Sequence, residues 1–276
     1  MVVRKPDWWW DWTWTPVSGC RKVSPGCAQC WSLPWLTCHT WPVPTVYTGA
    51  IEEAADGSTR WTGDPTALRV GDPVWNFPLT TFRDGVVNPA LGPGKPNLIF
   101  AVVDGDLFLE GRPLADINRV CRTLVASKHL GLLCSKYNRQ MVDYFASIHP
   151  RSVPRWQQKL LLGFSAENQE WFDLRWKDVR PLADAGWFVY VALSPLLGPV
   201  TLPREFLALG KRTWVVVYGE CNRWEPERAR PMEADWARAI RDQCQAAGIP
   251  FFLRGMHTPG YIPPDLVNIR EFLVWP

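Results

Sequence analysis

The sequence predicts an α/β fold, a partial or nearly complete parallel βα barrel with an irregular insertion near its start. Two observations carry this. Short apolar runs alternate with amphipathic stretches over most of the chain, and polar residues follow directly after the apolar runs. Parallel strands are buried on both faces and read as nearly unbroken apolar segments, and each return to the same edge needs a crossover, usually a helix. With 276 residues and 47% hydrophobic content the chain can bury a substantial core, and it reads as a single domain over residues 1–276.

The elements follow in order. A first strand is expected near Trp12–Pro16. Residues 43–97 then break the rhythm: prolines and glycines recur from Pro42 and Gly49 through Gly94 and Pro96, which predicts an irregular excursion or small β elements rather than a packed helix. This insertion reads either as a lid or recognition surface or as a tolerated excursion. Leu98–Val103 is a buried strand, and Leu114–Ala126 has apolar positions at helical spacing. Leu130–Cys134 is the next strand, and a helix follows over about 139–148. Lys159–Phe164, Trp187–Leu193 and Trp214–Tyr218 continue the strands, with helices near 169–185 and 235–247, and Phe251–Leu253 is the last. Active sites of βα barrels gather at the C-terminal ends of the strands. That end collects the loop after the first strand, Asp104 and Asp106, Ser135 and Lys136, Ser165 with Glu167 and Asn168, Ser194, and Gly219 with Glu220.

The loop after the first strand carries Cys20, Cys27 and Cys30 in a C-x6-C-x2-C triplet closed by Trp31. Thiolate softness restricts a shared ligand mainly to zinc or an iron–sulfur cluster. A structural zinc site needs a fourth protein ligand, for which Cys38 and His39 stand nearby, whereas a cubic cluster on three cysteines keeps one iron open. Spacing alone leaves both readings open. Cys121, Cys134, Cys221 and Cys244 have no ligand spacing among them and read as buried thiols.

Other signals bound the function. The chain has no Walker-type phosphate loop, no His-Glu-x-x-His and no Gly-x-Ser-x-Gly, and its four histidines suggest no hydrolytic centre. A net charge of +3 is too small to imply a nucleic-acid partner by itself. Eight cysteines without a secretory apolar region point to a reducing compartment, and no apolar run approaches the ~18 residues of a membrane span. A soluble, cytoplasmic protein is expected. Trp8, Trp9, Trp10, Trp12 and Trp14 before the cysteines, and Trp31, Trp35 and Trp41 after them, read as core packing or as an aromatic shell around a reactive centre.

The run from Trp12 to Cys27 resembles the opening of a phage and prophage family often called three-Cys-motif proteins, related to the radical S-adenosylmethionine enzymes. The likeness continues in order through Asp106-Leu107-Phe108, Gly163 to Gln169, Pro195 to Val200, Arg230-Pro231-Met232, and Arg241 to Cys244 followed by Gly248 to Phe252. The chain departs from that pattern at Thr15, at Ser194 where the family has an acid, at Tyr218 to Cys221, and at Arg254-Gly255-Met256. The resemblance implies a radical-SAM-like barrel with a 4Fe-4S cluster on Cys20, Cys27 and Cys30. The open iron would chelate S-adenosylmethionine, whose reductive cleavage gives a 5′-deoxyadenosyl radical.

It further implies a host electron donor of the flavodoxin or ferredoxin type, location in the cytoplasm of a bacterial host, and phage DNA as a partner. The most concrete substrate is a modified base, through radical isomerisation of a hypermodified thymine substituent. Asp106, Ser165, Asn168 and Glu220 are the expected cofactor-binding residues. Asp106 reads equally as a helix cap, and Ser165 and Asn168 equally as turn residues. The alternative function is a zinc-stabilised, non-catalytic module that binds nucleic acid or a host protein.

Overall fold

A computed structural model describes residues 8–36, 45–80, 96–222, 225–257 and 261–273. Its central feature is a seven-stranded parallel sheet: β1 (Trp12–Trp14), β2 (Leu98–Ala101), β3 (Leu130–Ser135), β4 (Leu160–Ala166), β5 (Phe188–Leu193), β6 (Thr213–Tyr218) and β7 (Phe251–Gly255). The strands lie side by side in chain order, β1 to β7, without reversal. That order follows when each crossover advances the same way, as in a βα barrel, and it contains no switch point of the doubly wound kind. Among the described residues β1 and β7 are not paired, so the barrel is partial. Helices α1 (Leu114–Ala126), α2 (Asn138–Ala146), α3 (Gln169–Asp184) and α4 (Ala234–Ala247) fall where apolar periodicity places them.

The chain divides into two compact units, with β4 starting in the first and ending in the second. The first includes residues 10–23 and 32–162. Here Trp12 pairs with Ile99 and Leu98 with Leu130, and the strands are covered by the apolar stripe of α1, whose Val120, Cys121 and Leu124 are fully buried. The described part of the Pro- and Gly-rich region belongs to this unit and has small β elements, one of the two forms its composition allows. Ile51–Glu53 pairs antiparallel with Thr59–Trp61, and Thr66–Ala67 pairs with Val17–Ser18 just before the first cysteine. Leu36, Val46 and Tyr47 form a small core of their own with Ile51, Trp61 and Leu68. Residues 81–95 lie outside the described chain.

The second unit includes, among the described residues, 8–9, 24–31, 163–222, 225–257 and 261–273. Its strands carry two aromatic layers. On the helix side Phe164 meets Phe172 and Trp176 of α3, and both of these meet Phe206. On the other face Tyr190, Trp214 and Phe252 are fully buried, with Trp9 edge-on to Tyr190 and Trp214. Gly163 leaves the space the Tyr190 ring occupies, since a Cβ there would overlap the ring. Asn168 caps α3 by accepting the Trp171 N–H at 3.2 Å, and Gly248 ends α4 in the left-handed conformation at φ 67°.

Candidate functional site: the cysteine loop and the strand ends

Cys27 and Cys30 sit in a loop that two carboxylates from strand ends hold in place. Glu167 directly follows β4, is fully buried, and accepts a hydrogen bond from the Ser24 hydroxyl. Its other oxygen pairs with Arg175 of α3 at 3.0 Å, and Arg175 also donates to the Ser165 carbonyl at 2.7 Å. Burying a carboxylate is expensive unless charge and hydrogen bonds compensate it, and here both are supplied. Gly26 packs directly on Glu167, and any Cβ would overlap that side chain. Glu220, two residues past β6 and 2% exposed, forms a two-point pair with Arg230, one bond being 2.8 Å. Arg230 in turn donates to the Pro25 carbonyl at 2.9 Å, and its hydrogen bonds to Glu220 raise its pKa further. The Gln29 side chain donates to the Arg228 carbonyl and accepts from Asn222.

The segment after β5 closes the same end. Its Ser194–Pro195 peptide is cis, Leu196 N–H donates to the Tyr218 carbonyl at 2.9 Å, and Leu197 N–H donates to the Glu167 carbonyl at 2.7 Å. Gln243 of α4 fixes this segment further on, accepting from Leu202 N–H at 2.7 Å. These contacts give structural work to the stretches 163–169, 195–200 and 241–244.

Cys20 belongs to the first unit, where the insertion braces it. Arg21 donates to the Gly63 carbonyl at 3.2 Å, and Gly19, at φ 109°, packs so closely on the Asp64 carbonyl that a side chain has no room. Asp106 is buried and knits this region together. It accepts from the Ser135 hydroxyl at 2.7 Å and from the backbone N–H groups of Lys136 and Phe108 at 2.9 and 3.0 Å. Burial raises its pKa and these bonds oppose the rise. Arg112 reaches the carbonyls of Ser18, Asp106 and Thr66. Asp104 is a second buried carboxyl, pushed up to about 6 by desolvation, and the Ser32 and Tyr47 hydroxyls donate to it at 3.1 and 3.3 Å. Beside it Val102 holds φ 56°, a strained conformation for a β-branched residue.

The expected residues therefore divide. Glu220 and the β4 end meet the cysteine loop in the second unit. Asp106 joins β2 to β3 in the first, Asn168 serves as a helix cap, and Ser165 is half-buried on β4 with its carbonyl on Arg175. Ser24, Arg175 and Arg230 complete the clamp without having been singled out as ligands. Arg175 had a readable signal: it lies on the apolar stripe of α3 with Phe172, Trp176 and Val179, where a cation needs a buried partner.

The three thiols are soft donors, are half-buried and take part in no disulfide, which suits metal ligation. Cys121 and Cys244 are instead held as thiols by burial, each pushed up to about 12. Among the described residues no three His, Cys, Asp or Glu side chains already stand at ligand geometry, so the set fits a cluster by chemistry and spacing rather than by convergence. Cys38, His39 and Trp41 lie outside the described residues. Trp9, Trp10, Trp12 and Trp14 are buried packing residues, whereas Trp31 and Trp35 are about half exposed, at 45% and 51%.

A sequentially ordered parallel sheet curled into a half-barrel, with the loop that carries Cys27 and Cys30 fastened to strand ends of the second unit, defines an α/β protein of the partial βα-barrel type. Residues 7–261 match the family described as "Protein of unknown function (DUF5131)", and the chain belongs to that family. Among curated proteins none matches. A similar solved structure is a cysteine-to-alanine mutant of spore photoproduct lyase with dinucleoside spore photoproduct, at 10% identity and a TM-score of 0.37. The likeness covers 58% of this chain and 62% of that one, so the chain spans about three fifths of that protein. No helix among the described residues is long and apolar enough to cross a membrane.

Proposed function

We propose that this protein is a radical S-adenosylmethionine enzyme whose 4Fe-4S cluster is held by Cys20, Cys27 and Cys30. The observation that carries the reading is the cysteine loop itself: a C-x6-C-x2-C triplet after the first strand of a sequentially ordered parallel sheet, with Gly26 packed on buried Glu167 and the Pro25 carbonyl held by Arg230, the partner of buried Glu220. Cys20, Cys27 and Cys30 would hold the cluster, which when bound would supply one-electron reductive cleavage of S-adenosylmethionine to methionine and a hydrogen-abstracting 5′-deoxyadenosyl radical, the electron coming from a flavodoxin- or ferredoxin-type donor.

The chain's own residues supply position and shelter. Glu167 with Arg175, and Glu220 with Arg230, fix the loop carrying Cys27 and Cys30, which lowers the cost of ordering those two ligands on binding. The buried layer of Trp9, Tyr190, Trp214 and Phe252 gives the inner face of the second unit a dry floor, which protects reactive species from water. Half-exposed Ser165 at the end of β4 is the residue assigned to the cofactor. The substrate is a modified base in phage DNA, and the reaction is an isomerisation of a substituent on hypermodified thymine. Radical chemistry suits an unactivated carbon, and a base in duplex DNA must be flipped out at a cost of a few kcal/mol.

Anaerobic reconstitution followed by dithionite and S-adenosylmethionine tests the class: 5′-deoxyadenosine and close to four irons per chain are expected. Stoichiometric zinc with no 5′-deoxyadenosine would overturn it in favour of a binding module. Nucleoside mass spectrometry of treated phage DNA tests the substrate, and unchanged nucleosides with active cofactor cleavage would refute that part alone.

A further inference from the structure

On the inner face of the second unit, β6 and β7 do not run in uninterrupted register. Val216 pairs with Phe252 and Val217 with Leu253, but Tyr218 pairs with Gly255, leaving Arg254 as the extra residue of a bulge. Bulges re-aim side chains and occur disproportionately beside active sites. The Arg254 guanidinium is turned over the Tyr218 ring, 4.3 Å from its centroid, with the Trp8 ring at 5.3 Å. Both Arg254 and Tyr218 are half-buried, next along the strands from Phe252 and Val216, which belong to the closed floor. Two aromatic rings flank the guanidinium, and a weakly hydrated, planar cation is the side chain that best recognises a two-oxygen anion.

We propose that Arg254, held by Tyr218 and Trp8, is an oxyanion-binding subsite that takes the phosphate of a substrate nucleotide. The nucleotide as the source of that phosphate rests on the function proposed above; the oxyanion site does not. Phosphate is favoured because the cation lies at the end of the strands where the cysteine loop is fastened, and a base brought to that loop carries its phosphate within a few ångströms of the sugar. Arg254 is a binding residue here and takes no part in bond making.

The test uses the full chain as purified, without cluster or reductant, so that its outcome is independent of the radical chemistry. Calorimetric titrations with thymidine 5′-monophosphate, thymidine and S-adenosylmethionine are compared for the wild type, Arg254→Gln and Arg254→Lys. The monophosphate is expected to bind at least tenfold more tightly than the nucleoside. Arg254→Gln should abolish that difference, and Arg254→Lys, which keeps the charge but not the fork, should retain part of it. Should Arg254→Gln fail to fold by circular dichroism, the lysine variant and the monophosphate-to-nucleoside ratio of the wild type still decide. Equal binding of nucleotide and nucleoside by the wild type, or an unchanged ratio in Arg254→Gln, would overturn the proposal. Loss of S-adenosylmethionine binding with the nucleotide ratio intact would reassign the subsite to the cofactor carboxylate and overturn the phosphate assignment.

Discussion

Glu167 satisfies three constraints with one side chain: it neutralises Arg175, accepts from Ser24 and fills the space that Gly26 leaves. Removing its charge strands a cation that is only 3% exposed. Glu167→Gln is therefore expected to destabilise the fold by about 3–5 kcal/mol, measured by urea unfolding. Glu220→Gln should cost less, because Arg230 is 34% exposed and can turn to water. Gly26→Ala reads the loop rather than the core. It pushes the loop off Glu167, so reconstituted iron per chain should fall at least several-fold while far-UV circular dichroism stays unchanged. Wild-type iron content in Gly26→Ala would show that the clamp does not position the cysteines. At this scale the sequence was partly legible. Glu220 and Glu167 stand out because they follow apolar strands, but their roles as loop holders depend on Arg230 and Ser24, which are 10 and 143 residues away from them. Such separations leave no local pattern to read.

Among the elements, the seven strands and four longer helices were legible almost to the residue, since buried parallel strands and amphipathic helices each write their period into the sequence. Leu114–Ala126 matches the expected helix in full. The insertion was legible as an interruption of the rhythm but not strand by strand, because its ribbons are two or three residues long, and one of them, Thr66–Ala67, pairs with Val17–Ser18 outside the insertion. The turn after β2 adds a testable pH dependence. Asp104 is raised from 3.8 to about 6 in the folded chain, so the native state binds this proton more tightly than the unfolded state does. Its contribution to stability is full below the unfolded value and is lost as pH rises through the folded one. Asp104→Asn lacks this titration. Relative to wild type it should gain about 2 kcal/mol between pH 4.5 and pH 7.5, measured by urea unfolding at both values. A gap that does not change with pH would show that Asp104 is not the buried proton holder described here.

For the whole molecule, strand order and cysteine placement are the joined features. Sequential parallel strands bring their C-terminal ends to one end of each unit, and the cysteine loop is fastened there in the second unit while the insertion braces Cys20 in the first. Of the candidate site, the cysteine triplet is visible in the sequence and the clamp is not, because thiol spacing is local and buried ion pairing is not. Replacing Cys20, Cys27 or Cys30 singly by Ala should each remove the cluster's cofactor-dependent signal, whereas Cys121→Ala, at a buried thiol, should leave it. The most direct measurement is electron paramagnetic resonance of the anaerobically reconstituted, reduced protein with and without S-adenosylmethionine. A reduced 4Fe-4S signal that shifts when S-adenosylmethionine is added is the predicted result. A silent sample containing one zinc per chain would contradict the account.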